Sequence, residues 1–115
     1  MQWALPVLAV AALGGLVLAG IRLSGTPRPP IWMALGHGAI AATGLGLLIY
    51  AAVTGNLPVM AQVALGLFVL AAMGGVTLFI GFHLRERPLP IPLVIAHGLI
   101  AIAGVILLLI AFLRT

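Results

Sequence analysis

The chain has 115 residues, of which 64% are hydrophobic and 5% charged, and its mean hydropathy is +1.39. A soluble domain of this size cannot hide so much apolar surface, so lipid is the expected solvent and a single transmembrane domain over residues 1–115 is the expected unit. Five arginines, no lysine and one acid, Glu86, give a net charge of +4 too sparse for a nucleic-acid partner; the absence of cysteine excludes disulfides, thiolate metal sites, iron–sulfur clusters and covalent haem attachment.

The first apolar segment runs from about Trp3 to Leu23. It lacks a basic leader, and its first positive charge, Arg22, follows the apolar run, which reads as an uncleaved helix with its N-terminus outside. About 21 helical residues cross a hydrocarbon core of roughly 30 Å. Ser24-Gly25-Thr26-Pro27-Arg28-Pro29-Pro30 then breaks the helix, and a second segment starts near Pro30, a residue suited to a first helical turn, and reaches about Val53. Thr54 to Pro58 is an uncharged hairpin turn. A third segment covers about Val59 to Phe82, followed by a charged, proline-rich loop, His83 to Pro90. The fourth fills Ile91 to Leu113 and ends at Arg114-Thr115. The expected fold is an all-α membrane protein of four transmembrane helices.

Arginine placement sets an expected orientation. Arg22 and Arg28 flank the first loop, Arg85 and Arg87 lie in the third, and the second loop has none. The positive-inside rule then places loops 24–30 and 83–90 in the cytoplasm and both termini outside, as in the inner membrane of a bacterium. Trp32 fits an inner interfacial anchor; Trp3 and Tyr50 fit the outer side.

Sliding the chain by 60 residues without a gap matches Gln2 with Gln62, Gly14-Gly15 with Gly74-Gly75, Pro30-Ile31 with Pro90-Ile91 and His37-Gly38 with His97-Gly98. Matches continue through Ala41/Ala101 and Gly44/Gly104. This reads as two tandem helical-hairpin repeats, 1–55 and 61–115, inserted in the same direction and related by a two-fold axis along the membrane normal. The glycine pairs read as helix contact points.

The stretches starting at His37 and His97 share His, Ala, Gly and Leu at offsets 0, 4, 7 and 11, which fall on one helical stripe. Each histidine lies seven residues past a proline, about 10 Å along its helix. The two imidazoles are therefore expected to face one another at one level from the second and fourth helices, as two axial ligands of one haem would. Ala41, Gly44, Ala101 and Gly104 would leave room for the macrocycle, and Arg22, Arg28, Arg85 and Arg87 could pair with its propionates. The competing reading is packing: small residues on membrane helices permit close approach, and His can hydrogen-bond across helices for roughly 1 kcal/mol. His83, whose counterpart in the 60-residue match is Leu23, reads first as a solvated interfacial residue, second as a propionate or headgroup contact, and third as a ligand.

At the His-x3-Ala-x2-Gly stripes the chain resembles membrane b-type cytochromes with four-helix haem-binding cores. The resemblance implies electron transfer between a quinol or protein donor and an acceptor, with one haem b per chain on His37 and His97. Length and span number also resemble the small multidrug resistance transporters, but the intramembrane glutamate of that family has no counterpart, Glu86 being in a loop. No nucleophile–base pair supports hydrolytic chemistry. Two functional expectations remain: an electron-transfer subunit rather than a stand-alone enzyme, and a non-catalytic accessory or assembly subunit of a larger membrane complex. Either expects lipid, and other membrane subunits or further copies of the chain, as partners.

Overall fold

A computed structural model describes all 115 residues as four helices without strands: α1 (Ala4–Leu23), α2 (Ile31–Thr54), α3 (Val59–Leu78) and α4 (Ile91–Leu113). All four are long and apolar enough to cross a membrane. The boundaries follow local chemistry. Pro30, Pro58 and Pro90 each stand just before a helix, where a missing N–H costs nothing. After α1, Gly25 takes a φ of 114°, which only glycine adopts freely, and turns the chain toward the proline-rich loop.

The end of α3 departs from a regular helix. Phe79–His83 forms a π turn, and the Leu84 N–H donates to the Phe79 carbonyl at 2.8 Å, five residues back. The buried residues of α3, Ala61, Ala64, Phe68 and Ala71, advance by three or four. That progression continued regularly would bring Phe82, not His83, to the inner face. The extra residue in the wide turn delivers His83 there instead, and its exposure is only 6%. The solvated His83 expected from sequence is thus corrected in part: the side chain is largely buried, while its place at the loop boundary stands.

α1 packs on α2, α3 on α4, α1 on α4 and α2 on α3, so the helices run round a square with α2 and α4 on one diagonal. The bundle measures 43 × 20 × 18 Å. Its interior is built from small residues and a few large ones, chiefly Leu8, Leu48, Phe68 and Leu108. Large apolar side chains cover the outside instead, among them Leu13, Val17, Leu70, Leu99 and Leu109. In water that distribution would be unstable, whereas in lipid it is what helices with internally satisfied backbones present.

Gly44 and Gly104 serve this packing. A Cβ on Gly44 would come within 2.7 Å of Leu8 Cγ, and one on Gly104 within 3.0 Å of the Phe68 ring. Both glycines are occupied by a side chain from the adjacent helix, so the open groove expected beside them is absent.

The two proline-rich loops are clasped together. The Leu89 N–H donates to the Pro27 carbonyl at 3.1 Å, and Arg22 Nε donates to the Leu89 carbonyl at 2.8 Å.

Candidate functional site: a histidine pair in the bundle

His37 on α2 and His97 on α4 reach toward each other across the bundle, with ring centroids 6.3 Å apart and ring planes at 88°. Both are partly buried. What seats each ring is the adjacent helix of its own hairpin. His37 Nδ1 donates to the Ala11 carbonyl of α1 at 2.8 Å, and His97 Nδ1 donates to the Ala71 carbonyl of α3 at 2.7 Å. A carbonyl only accepts, so Nδ1 carries the hydrogen in both rings, and in the neutral imidazole Nε2 keeps its lone pair.

The glycine pairs explain how the rings fit. A Cβ on Gly15 would lie 2.9 Å from His37 Cε1, and one on Gly75 would lie 3.1 Å from His97 Cε1. A Cβ on Gly14 or Gly74 would border the same rings, 3.8 or 3.5 Å from Nδ1. The Cε1 edge of each imidazole therefore sits against a helix backbone that any side chain would hold off. Sequence reading takes these glycines as helix contacts; their partners are the histidines. The detectable signal was their equal separation from His37 and His97 in the 60-residue match.

The other residues singled out from sequence divide into three groups. Ala41 and Ala101 are partly exposed, one turn beyond the histidines, whereas Gly44 and Gly104 are buried in helix contacts. Arg22 and Arg28 are engaged at the loop end, Arg22 with the Leu89 carbonyl and Arg28 Nη1 with the His83 carbonyl at 3.4 Å. Arg85 and Arg87 are exposed. His83 sits eight residues beyond Gly75, about 12 Å along the helix, and so stands apart from the pair. Its ring packs on Phe79, with centroids 5.5 Å apart.

The donor set limits the chemistry. Nowhere do three or more His, Cys, Asp or Glu side chains gather to hold a metal ion. Two imidazoles alone fall short of the four-coordinate shell that a bare zinc ion takes from protein. They do meet the need of an iron that already has its equatorial ligands from a macrocycle. Thr43 and Thr77 donate to the Ala39 and Met73 carbonyls of their own helices and take no part. Comparison with known protein families, curated proteins and solved structures finds no match to this chain.

Proposed function

We propose that the chain is a membrane electron-transfer subunit in which His37 and His97 are the axial ligands of a single haem b held between α2 and α4. The observation that carries this reading is the pair of Nδ1–H···O=C bonds. A ligating histidine characteristically gives its other ring N–H to a carbonyl or carboxylate, which fixes the tautomer and ring direction and raises the basicity of the ligating nitrogen. Both rings have that arrangement. Their proximity agrees as well: the two ring centroids lie 6.3 Å apart across the bundle. Gly14, Gly15, Gly74 and Gly75 let each ring seat closely on α1 or α3, which holds its direction. Bound haem would supply a reversible one-electron couple. The chain would supply the two nitrogens, their fixed orientation and an apolar surround that favours the neutral ligand set.

The same reading takes the chain as two tandem hairpin repeats. Supporting it, the His–carbonyl bond, the glycine seat and the buried Leu48 and Leu108 each recur 60 residues apart. It also takes the arginine-bearing loops as cytoplasmic in a bacterial inner membrane, with both termini outside. A quinone or a redox protein is the proposed exchange partner. Arg85 and Arg87, exposed at the loop end, are free to meet an acidic partner surface or haem propionates.

One observation favours a second reading. Each Nδ1–H···O=C bond also ties one helix to the next within a hairpin, which is the role of a packing histidine in an accessory subunit. Absorption spectra of protein expressed under haem-replete conditions, oxidised and then reduced, separate the two. A low-spin, six-coordinate b-type spectrum at one haem per chain is expected. Haem-free protein of unchanged stability would establish the packing role instead.

A further inference from the structure

At the loop end, away from the histidine pair, Pro27, Arg28, Pro29, Ile31, His83, Leu84 and Glu86 line an open cavity of about 440 Å³. Its position is set by the helices: α2 begins at Ile31 and the π turn ends at His83, so in a chain whose helices span a bilayer the cavity would lie at headgroup level. Two features mark it as more than a gap between loops. The first is His83, 6% exposed as a residue and on the cavity wall, whose ring makes no hydrogen bond within the protein and whose nitrogens are not sealed from the cavity. An imidazole open to the cavity offers a ligand atom both a donor and an acceptor position. The second is charge of both signs: Arg28 and the chain's single acid, Glu86, share the lining. Arg28 has only the 3.4 Å bond to the His83 carbonyl, leaving most of its guanidinium donors for a phosphate. Glu86 would repel a purely anionic ligand but attract an ammonium. Ile31 and Leu84, 48% and 53% exposed, continue the cavity onto the apolar flank.

From this lining we infer a binding site for a zwitterionic phospholipid whose headgroup carries a phosphodiester and a primary ammonium, as phosphatidylethanolamine does. The phosphodiester pairs with Arg28, the ammonium donates to Glu86, and His83 bonds the headgroup. The acyl chains run down past Ile31 and Leu84. A choline headgroup, which has no N–H, loses the Glu86 bond; phosphatidylglycerol places no positive charge there at all. The site does not depend on haem.

Native mass spectrometry of the full chain, delipidated and then offered equal phosphatidylethanolamine, phosphatidylglycerol and phosphatidylcholine, tests the site. One retained phosphatidylethanolamine per chain is expected, favoured over either competitor by about tenfold, the worth of one charge-assisted contact. Glu86→Gln should abolish that preference while phospholipid is still retained, and Arg28→Gln should lower retention of all three. Circular dichroism in the same detergent establishes that both variants are folded. Equal retention of the three lipids by the wild type would overturn the inference, as would a preference that survives Glu86→Gln in a folded variant. Displacement by millimolar inorganic phosphate would show a soluble anion site and would overturn it too.

Discussion

His37 and His97, sixty residues apart in sequence, meet with their rings nearly perpendicular and 6.3 Å between centroids, each held by a carbonyl of the helix beside it. Neither ring is free to turn without losing its Nδ1–H bond. The pair is a fixed arrangement of two rings whose Nε2 atoms, in the neutral imidazoles, keep a free lone pair, and the proposed function rests on it.

Replacing either histidine therefore should end haem binding as a six-coordinate species. His37→Ala and His97→Ala are each expected to lose the low-spin spectrum, while His83→Ala, about 12 Å away along the helix, should keep it. Retention of a six-coordinate haem after loss of His37 or His97 would defeat the paired-ligand proposal.

Close packing at glycine predicts a graded set of stabilities. Gly44→Ala and Gly104→Ala press a methyl onto Leu8 and Phe68 and should each cost about 1–3 kcal/mol by overpacking, Gly44 the more. At Gly46 and Gly66 a Cβ meets nothing within 4 Å, so alanine there should be neutral or slightly stabilising. Thermal unfolding in detergent ranks the four variants; equal midpoints would refute the packing account.

The glycines under the imidazoles predict a different outcome. Gly15→Leu should displace the His37 ring from the Ala11 carbonyl, and Gly75→Leu should do the same to His97 at Ala71. In a haem-loaded protein the expected result is lower occupancy or a shift toward high spin. Unaltered spectra in both would show that the glycine seats do not position the rings.

The loop clasp is testable by proteolysis. Arg22→Met keeps the aliphatic stem but removes the bond to the Leu89 carbonyl, a contact to a charged group of about 1.5–3 kcal/mol. Trypsin should then cut after Arg85 faster than in the wild type. An unchanged rate would mean the clasp does not restrain the third loop.

Orientation can be read by labelling. A cysteine at Asn56 should react with an impermeant thiol reagent from outside the cell, and one at Thr26 should not. The reverse pattern would turn the proposed topology over.

Much of the fold was legible because lipid imposes strict rules. Apolar runs long enough to span, broken by Pro27-Arg28-Pro29-Pro30 and Thr54 to Pro58, leave few alternatives to four helices, and the expected boundaries fall within one residue for α1, α2 and α4. The juxtaposition of His37 and His97 was legible as well, from their equal distance past Pro30 and Pro90. What composition concealed was which neighbour fills which small-residue surface. A stripe of Ala and Gly reads the same whether it receives a side chain or a cofactor, and Gly44 and Gly104 turned out to receive Leu8 and Phe68. The π turn was hidden for a related reason. Phe79-Ile80-Gly81-Phe82 has no residue that demands a wide turn; packing selects it, and with it the burial of His83.

That wide turn makes one quadrant of the loop end unlike the others. Where α1 finishes on Leu23, which is 53% exposed, α3 finishes on a buried imidazole beside a cavity. A body docking there can tell the first hairpin from the second and seats in one rotational setting rather than two. The added residue acts as a key on an otherwise near-square plug.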